Sequence, residues 1–135
     1  MQVKERPHFP SSRVSLSCLI SGVILFHANC AIALDMALWG AWYRQRGMSV
    51  LMVTMGGYAG SEGETTELSS YFDASAAVQK MLDKGIPANR LLVHGLSIGG
   101  GLASAAATMH PGVLCTVDQT FTSAAEVLIT AVVTP

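Results

Sequence analysis

Charge is what this chain has least of. Of its 135 residues only 13% are Asp, Glu, Lys or Arg, and they cancel to a net charge of −1. There is no basic run, so the electrostatic footprint of a nucleic-acid partner is missing. Cysteine is scarce as well. Cys18, Cys30 and Cys115 are odd in number and lack metal-ligand spacing, which excludes a disulfide framework and a zinc module. They read as buried free thiols of a reducing compartment, and neither metal nor cofactor is expected. The apolar stretch from Val14 to Phe26 is shorter than the ~20 residues that a bilayer needs, so no membrane span is expected. Histidine is limited to His8, His27, His94 and His110.

What the chain has instead is apolar residues. They make up 50% of it, and the mean hydropathy is +0.43. That suits a sheet covered on both faces by helices. Residues 1–13 are polar and read as a loose arm, with one domain over 14–135. Val14 to Ile20 reads as a short strand. Strands without alternation, the mark of burial on both faces, are expected near 23–26, 50–54, 91–94 and 113–117. Helices are expected between them, over about 32–46, 68–84 and from the end of the third strand to His110. In the first helix Leu34, Leu38 and Trp42, with Ala31 and Ala41, recur at spacings of three and four and predict its inward face. The order β-α-β-α-β-α-β with long crossovers predicts a doubly wound, mainly parallel α/β sheet.

The N-terminal stretch has two readings. Lys4, Arg6 and Arg13 precede an apolar run, and Ala31-Ile32-Ala33 resembles a cleavage site, as in a signal peptide. The competing reading makes Gly22 to Phe26 a strand of the sheet and the chain cytoplasmic. His27, Asn29 and Cys30 interrupt the segment before the cleavage-like site, which favours the strand.

The chemistry-bearing motif is Gly95-Leu96-Ser97-Ile98-Gly99, a G-x-S-x-G between the apolar run Leu91-Leu92-Val93 and an Ala-rich helix. In that context the pattern signals a nucleophile elbow. Gly95 and Gly99 would let strand and helix approach, while Ser97 sits in a strained turn at the positive end of the helix. The plain alternative is a serine in a connecting turn.

Further motifs stand on either side of it in the chain. Val23-Ile24-Leu25-Phe26-His27-Ala28-Asn29 resembles the apolar strand and His-Gly-x loop of the α/β-hydrolase superfamily, in particular its esterase-like, serine-aminopeptidase-like and abhydrolase-domain depalmitoylase members. Gly57-Tyr58-Ala59-Gly60-Ser61-Glu62-Gly63 resembles their Gly-Tyr-Gly loop, and Asp118-Gln119-Thr120-Phe121-Thr122-Ser123 their acidic stretch after the next strand. The resemblance covers about residues 22–126. Ala28 stands where the family has Gly, Gly56 where it often has Arg, and Ala59 in place of another Gly. The resemblance implies a small-molecule acyl substrate, an ester, thioester or amide, with Ser97 as nucleophile. It places the oxyanion hole at the backbone N–H groups of Asn29 and Ile98, with Gly95, Gly99 and His27 in supporting roles. His27 then reads as a structural histidine fixing the loop.

A serine needs a base, and the superfamily orders its triad as serine, acid, histidine. After Ser97 the chain holds one histidine, His110, about 20 Å away along a helix at ~1.5 Å per residue. It reads as a helix-end residue bonded to the last carbonyls. His94 reads as a packed core residue, and Asp118 as structural. The chain thus resembles the N-terminal portion of such an enzyme, an incomplete α/β-hydrolase fold lacking acid and base. The strand near 113–117 would leave an open sheet edge, through which self-association is expected. A non-catalytic hydrolase-like module is the main alternative. A dinucleotide-binding domain is the lesser one: Gly95 to Gly100 nearly matches G-x-G-x-x-G, but Ser97 fills the second glycine position, where a side chain blocks the pyrophosphate.

Overall fold

The computed structural model describes residues 19–121. The expected arm at 1–13, nearly all of the strand expected at 14–20, His8, Cys18 and the Thr122-Ser123 end of the acidic stretch lie outside the described residues.

The described chain runs β1 (Gly22–Phe26), a 3-10 turn (Ala33–Met36), α1 (Ala37–Arg44), β2 (Ser49–Val53), α2 (Glu67–Asp83), a 3-10 turn (Ala88–Arg90), β3 (Leu91–Leu96), α3 (Ile98–Met109) and β4 (Leu114–Asp118). The four strands are all parallel, in the order β2-β1-β3-β4. The expected α/β class and parallel sheet are therefore present. No helix among the described residues is long and apolar enough to cross a membrane.

Both faces of the central strands are covered, which is why β1 and β3 are apolar without alternation. Ile24, Phe26, Leu91 and Val93 pack under α2 and α3 with Ala74, Val78, Met81, Leu102 and Ala106. Val23, Leu25 and Leu92 pack on the other face with Met36, Tyr43 and Met48. β2 and β4, the outer strands among the described residues, differ: each is only partly covered, with Met52, Leu114 and Val117 exposed. The apolar run at 50–54 therefore marks one of these outer strands rather than one buried on both faces.

Thr66 starts α2 as N-cap: its hydroxyl accepts from Ser69 N–H at 3.0 Å, and Ser69 Oγ accepts from Thr66 N–H at 2.9 Å. Gly85, at φ +84°, follows the helix end. The first helix departs from expectation in two ways. It opens as a 3-10 turn, and side chains take its leading N–H groups: Ile32 N–H donates to Asp35 Oδ2 at 2.7 Å and Ala33 N–H to Thr54 Oγ1 at 3.1 Å. Its inward face is also not the predicted one. Leu34 and Leu38 are 68% and 86% exposed and Trp42 is exposed, whereas Met36, Gly40 and Tyr43 are buried. Helix and sheet come close at Gly40, where a Cβ would lie 3.1 Å from Met52 Sδ. The described thiols also differ from the expected burial. Cys30 and Cys115 are exposed, because one sits in the turn after β1 and the other on outer strand β4.

Candidate active site

Strand order reverses direction between β1 and β3. The chain moves from β1 outward to β2, then crosses back to β3 on the other side of β1. The crevice beyond the carboxyl ends of such a pair is where open α/β sheets receive ligands. Phe26 and Gly95 are in register at these ends. The loop at 27–30 and the turn at Ser97 therefore face the same crevice, and the predicted site residues sit on its two banks.

Ser97 sits between β3 and α3 at φ +53° and ψ −118°, a conformation that L residues rarely adopt. Three hydrogen bonds hold it there. Its N–H donates to Asp118 O at 2.9 Å, and its carbonyl accepts from Gly100 N–H at 2.9 Å and from Thr120 Oγ1 at 2.7 Å. Two glycines make room. A Cβ on Gly95 would run into the Gly99 carbonyl, and one on Gly99 would lie 2.7 Å from His27 O. Ile98 opens α3, where the N–H has no intrahelical acceptor. Asp118 serves this turn through its backbone. Thr120 was not among the expected site residues: its hydroxyl reaches Ser97 from 23 positions away, a distance that no local pattern reports.

On the opposite bank His27 is wholly buried. Met55 N–H donates to its Nε2 at 3.2 Å, so Nε2 is unprotonated and Nδ1 carries the hydrogen. That Nδ1–H donates to Ala28 O at 2.8 Å. The Ala28 carbonyl and the Asn29 N–H belong to one planar trans peptide and point in opposite directions. By gripping the carbonyl, His27 aims the Asn29 N–H. Asn29 is exposed, and its Oδ1 accepts from Tyr58 OH at 2.9 Å. Ala28 keeps an ordinary negative φ, so its replacement of a glycine adds no strain.

Tyr58 belongs to the Gly-rich loop after β2. Gly56 N–H donates to Asp73 Oδ2 at 2.8 Å, and Thr65 Oγ1 donates to Gly56 O at 2.8 Å. Ala59 sits at φ +48°, where glycine would be unstrained, which explains what the glycine of the similar motif is for.

The other two described histidines are committed elsewhere. His94 is buried beside Tyr43, whose hydroxyl is 3.0 Å from its Nδ1, and its ring meets the Trp39 ring edge-on at 4.9 Å. Burial lowers its pKa, and Asp118 pulls it in the opposite direction. His110 Nε2 lies 2.8 Å from Ser75 Oγ, so the side chain ties α3 to α2 rather than capping its own last carbonyls. Among the described residues, no imidazole or carboxylate is hydrogen-bonded to the Ser97 hydroxyl. Nor do they hold a cluster of His, Cys, Asp and Glu that could bind a metal ion. A cavity of about 290 Å³ lies between β2 and α2, lined by Met52, Val53, Glu62, Asp73 and Lys80 among others, and none of the predicted site residues borders it.

No family model matches the chain. Two curated relatives, multifunctional-autoprocessing repeats-in-toxin proteins of Vibrio cholerae and Vibrio vulnificus, are each 35% identical over 63 residues. That is 46% of this chain and 1% of either toxin. Among solved structures, an extracellular α/β-hydrolase from a Paenibacillus species superposes with a TM-score of 0.59 at 15% identity, over 76% of this chain and 42% of that one. A carboxylesterase from Mesorhizobium loti gives 0.54 at 14%, over 75% and 55%. The thioesterase domain of the curacin biosynthetic pathway gives 0.58 at 19%, over 83% and 43%. The chain thus spans about half the length of these hydrolases or less. Over the part it shares with them, it has an α/β-hydrolase-like fold.

Proposed function

We propose that this chain carries the nucleophile and oxyanion-binding half of a serine hydrolase acting on an ester, thioester or amide. The observation that carries the reading is the backbone of Ser97, held at φ +53° between β3 and α3 where Gly95 and Gly99 cannot bear a Cβ. Such a turn is a nucleophile elbow: strain and a helix N-terminus hold a hydroxyl over the crevice. Ser97 Oγ attacks the substrate carbonyl carbon while a base takes its proton. The carbonyl oxygen becomes an oxyanion between the N–H groups of Ile98 and Asn29. Its collapse breaks the bond to the leaving group, which takes up the proton. Water then releases the acid from acyl-Ser97. His27, His94 and His110 are each engaged elsewhere, so the base comes from outside the described residues.

A fluorophosphonate probe tests this directly. Labelling of the folded chain that disappears in Ser97→Ala supports a live nucleophile; a folded chain that never labels refutes catalysis by this chain itself. The second reading, a hydrolase-like module without catalysis, draws on the absence of a base hydrogen-bonded to Ser97 among the described residues. The same experiment decides between them. Self-association belongs to the proposal as well, since β4 pairs on one side only among the described residues and exposes Leu114 and Val117. Sedimentation as a monomer at all concentrations would remove it.

A further inference from the structure

We propose that Tyr58 is a positioning residue for the oxyanion-binding loop, acting through the side chain of Asn29. This role rests on the acyl-serine reading above. An oxyanion donor contributes only if its N–H is already aimed when charge develops. The Ala28–Asn29 peptide carries that N–H, and it is held from two sides. His27 Nδ1–H grips its carbonyl end at 2.8 Å, and Tyr58 OH grips the side chain of the following residue at 2.9 Å.

The two grips close on each other. Tyr58 N–H donates to Met55 O at 3.2 Å, and Met55 N–H donates to His27 Nε2 at 3.2 Å. The Tyr58 ring packs edge-on against the His27 ring, with centroids 5.0 Å apart. The circuit therefore runs Asn29, Tyr58, Met55, His27, Ala28 and back to Asn29. His27 is buried within the fold and is fixed by its surroundings. Asn29 is exposed, and Cys30 after it turns at φ +56°. A peptide held by its carbonyl alone can still rock about that anchor. The second anchor, on the exposed side, is the hydroxyl of Tyr58. It comes from the loop after β2, so the Gly-rich loop acquires a task at the site without touching the reacting atoms.

The test uses the full chain with p-nitrophenyl acetate and the fluorophosphonate probe, with rates divided by the number of sites the probe titrates. Tyr58→Phe keeps the ring on His27 and loses the O–H. Asn29→Ala keeps the backbone N–H and loses the acceptor. Each variant is expected to lower kcat about tenfold with KM little changed, less than the roughly hundredfold or greater loss when an oxyanion donor is removed. The double variant is expected to lose no more than either single one, because both break the same bond. A purely structural role would lower the titrated sites and leave kcat per site alone. Labelling that is abolished by Ser97→Ala yet leaves per-site kcat unchanged in Tyr58→Phe overturns the role of Tyr58 and spares the hydrolase reading. So do additive losses in the double variant. A folded wild-type chain that neither labels nor hydrolyses overturns both.

Discussion

Gly99 and Phe26 are in such close contact that no other residue type fits at the first turn of α3. A Cβ on Gly99 would run into the Phe26 carbonyl oxygen and lie 2.7 Å from that of His27. The start of the helix after Ser97 is thereby seated on the end of the strand that leads to Asn29. Backbone contact, not a side-chain bond, sets the width of the crevice between the two banks.

This contact predicts the effect of adding a single methyl. Gly99→Ala must push α3 off β1, and the obstacle is backbone, which cannot rotate away. Overpacking a well-packed core costs about 1–3 kcal/mol, and this site, where the obstacle is backbone, should lie at or above the top of that range. Gly101→Ala, two residues on, meets nothing within 4 Å and should stabilise α3 by about 0.5–1 kcal/mol. Urea denaturation of the two variants checks the contrast. Equal midpoints would mean that the close approach is absent.

Ser97 predicts a trade of stability against activity. Its strained backbone costs about 1–3 kcal/mol, part of which Ser97→Gly would recover. Glycine also gains freedom in the unfolded chain, which takes back about 0.4–1 kcal/mol. The expected net is a variant more stable by about 1 kcal/mol that no longer reacts with a fluorophosphonate. A loss of stability on Ser97→Gly would show that the turn is not strained.

The parts of the fold legible in the sequence are those whose cause is local. Val23 to Phe26 and Leu91 to Val93 read as doubly buried strands because each of their residues faces a helix layer. The turn at Ser97 reads from its glycines, whose reason is steric and lies within a few residues. What the sequence conceals is set by distant partners. Leu34, Leu38 and Trp42 have helical spacing, yet the side of α1 that meets the sheet carries Gly40, beside Met52 of β2, and Tyr43. Val50 to Val53 look like a central strand, yet the chain crosses back to β3 and leaves β2 outermost among the described strands. The bonds from Thr120 to Ser97 and from Tyr58 to Asn29 join residues more than twenty positions apart, where no periodicity could show them.

His27 predicts a coupling between stability and the site. His27→Phe would preserve an aromatic ring beside Tyr58 but leave the Met55 N–H and the Ala28 carbonyl without their partners. A buried polar group stranded in this way costs about 1–3 kcal/mol, so a loss of about 2 kcal/mol or more is expected in urea denaturation. The Asn29 N–H would also lose its aim, and the fluorophosphonate should react more slowly with the molecules that remain folded. Unchanged stability in His27→Phe would show that neither hydrogen bond contributes.

His94 predicts the pH dependence. Burial lowers its pKa from the ordinary value of 6.5, against a smaller opposing pull from Asp118. In the unfolded chain the imidazole takes up a proton near pH 6.5, whereas in the folded chain, packed against Tyr43 and Trp39, it resists until the pH is lower. Between those two values the unfolded state binds more protons, so stability must fall as the pH drops. The contribution is complete above about pH 6.5, declines below it, and levels off under the lowered folded value. The urea midpoint of the wild-type chain is therefore expected to be lower at pH 5 than at pH 7.5. His94→Gln should start from a lower midpoint at pH 7.5, having lost its ring packing, and change less between the two. If the variant loses as much as the wild type between those pH values, the acid sensitivity belongs to other groups.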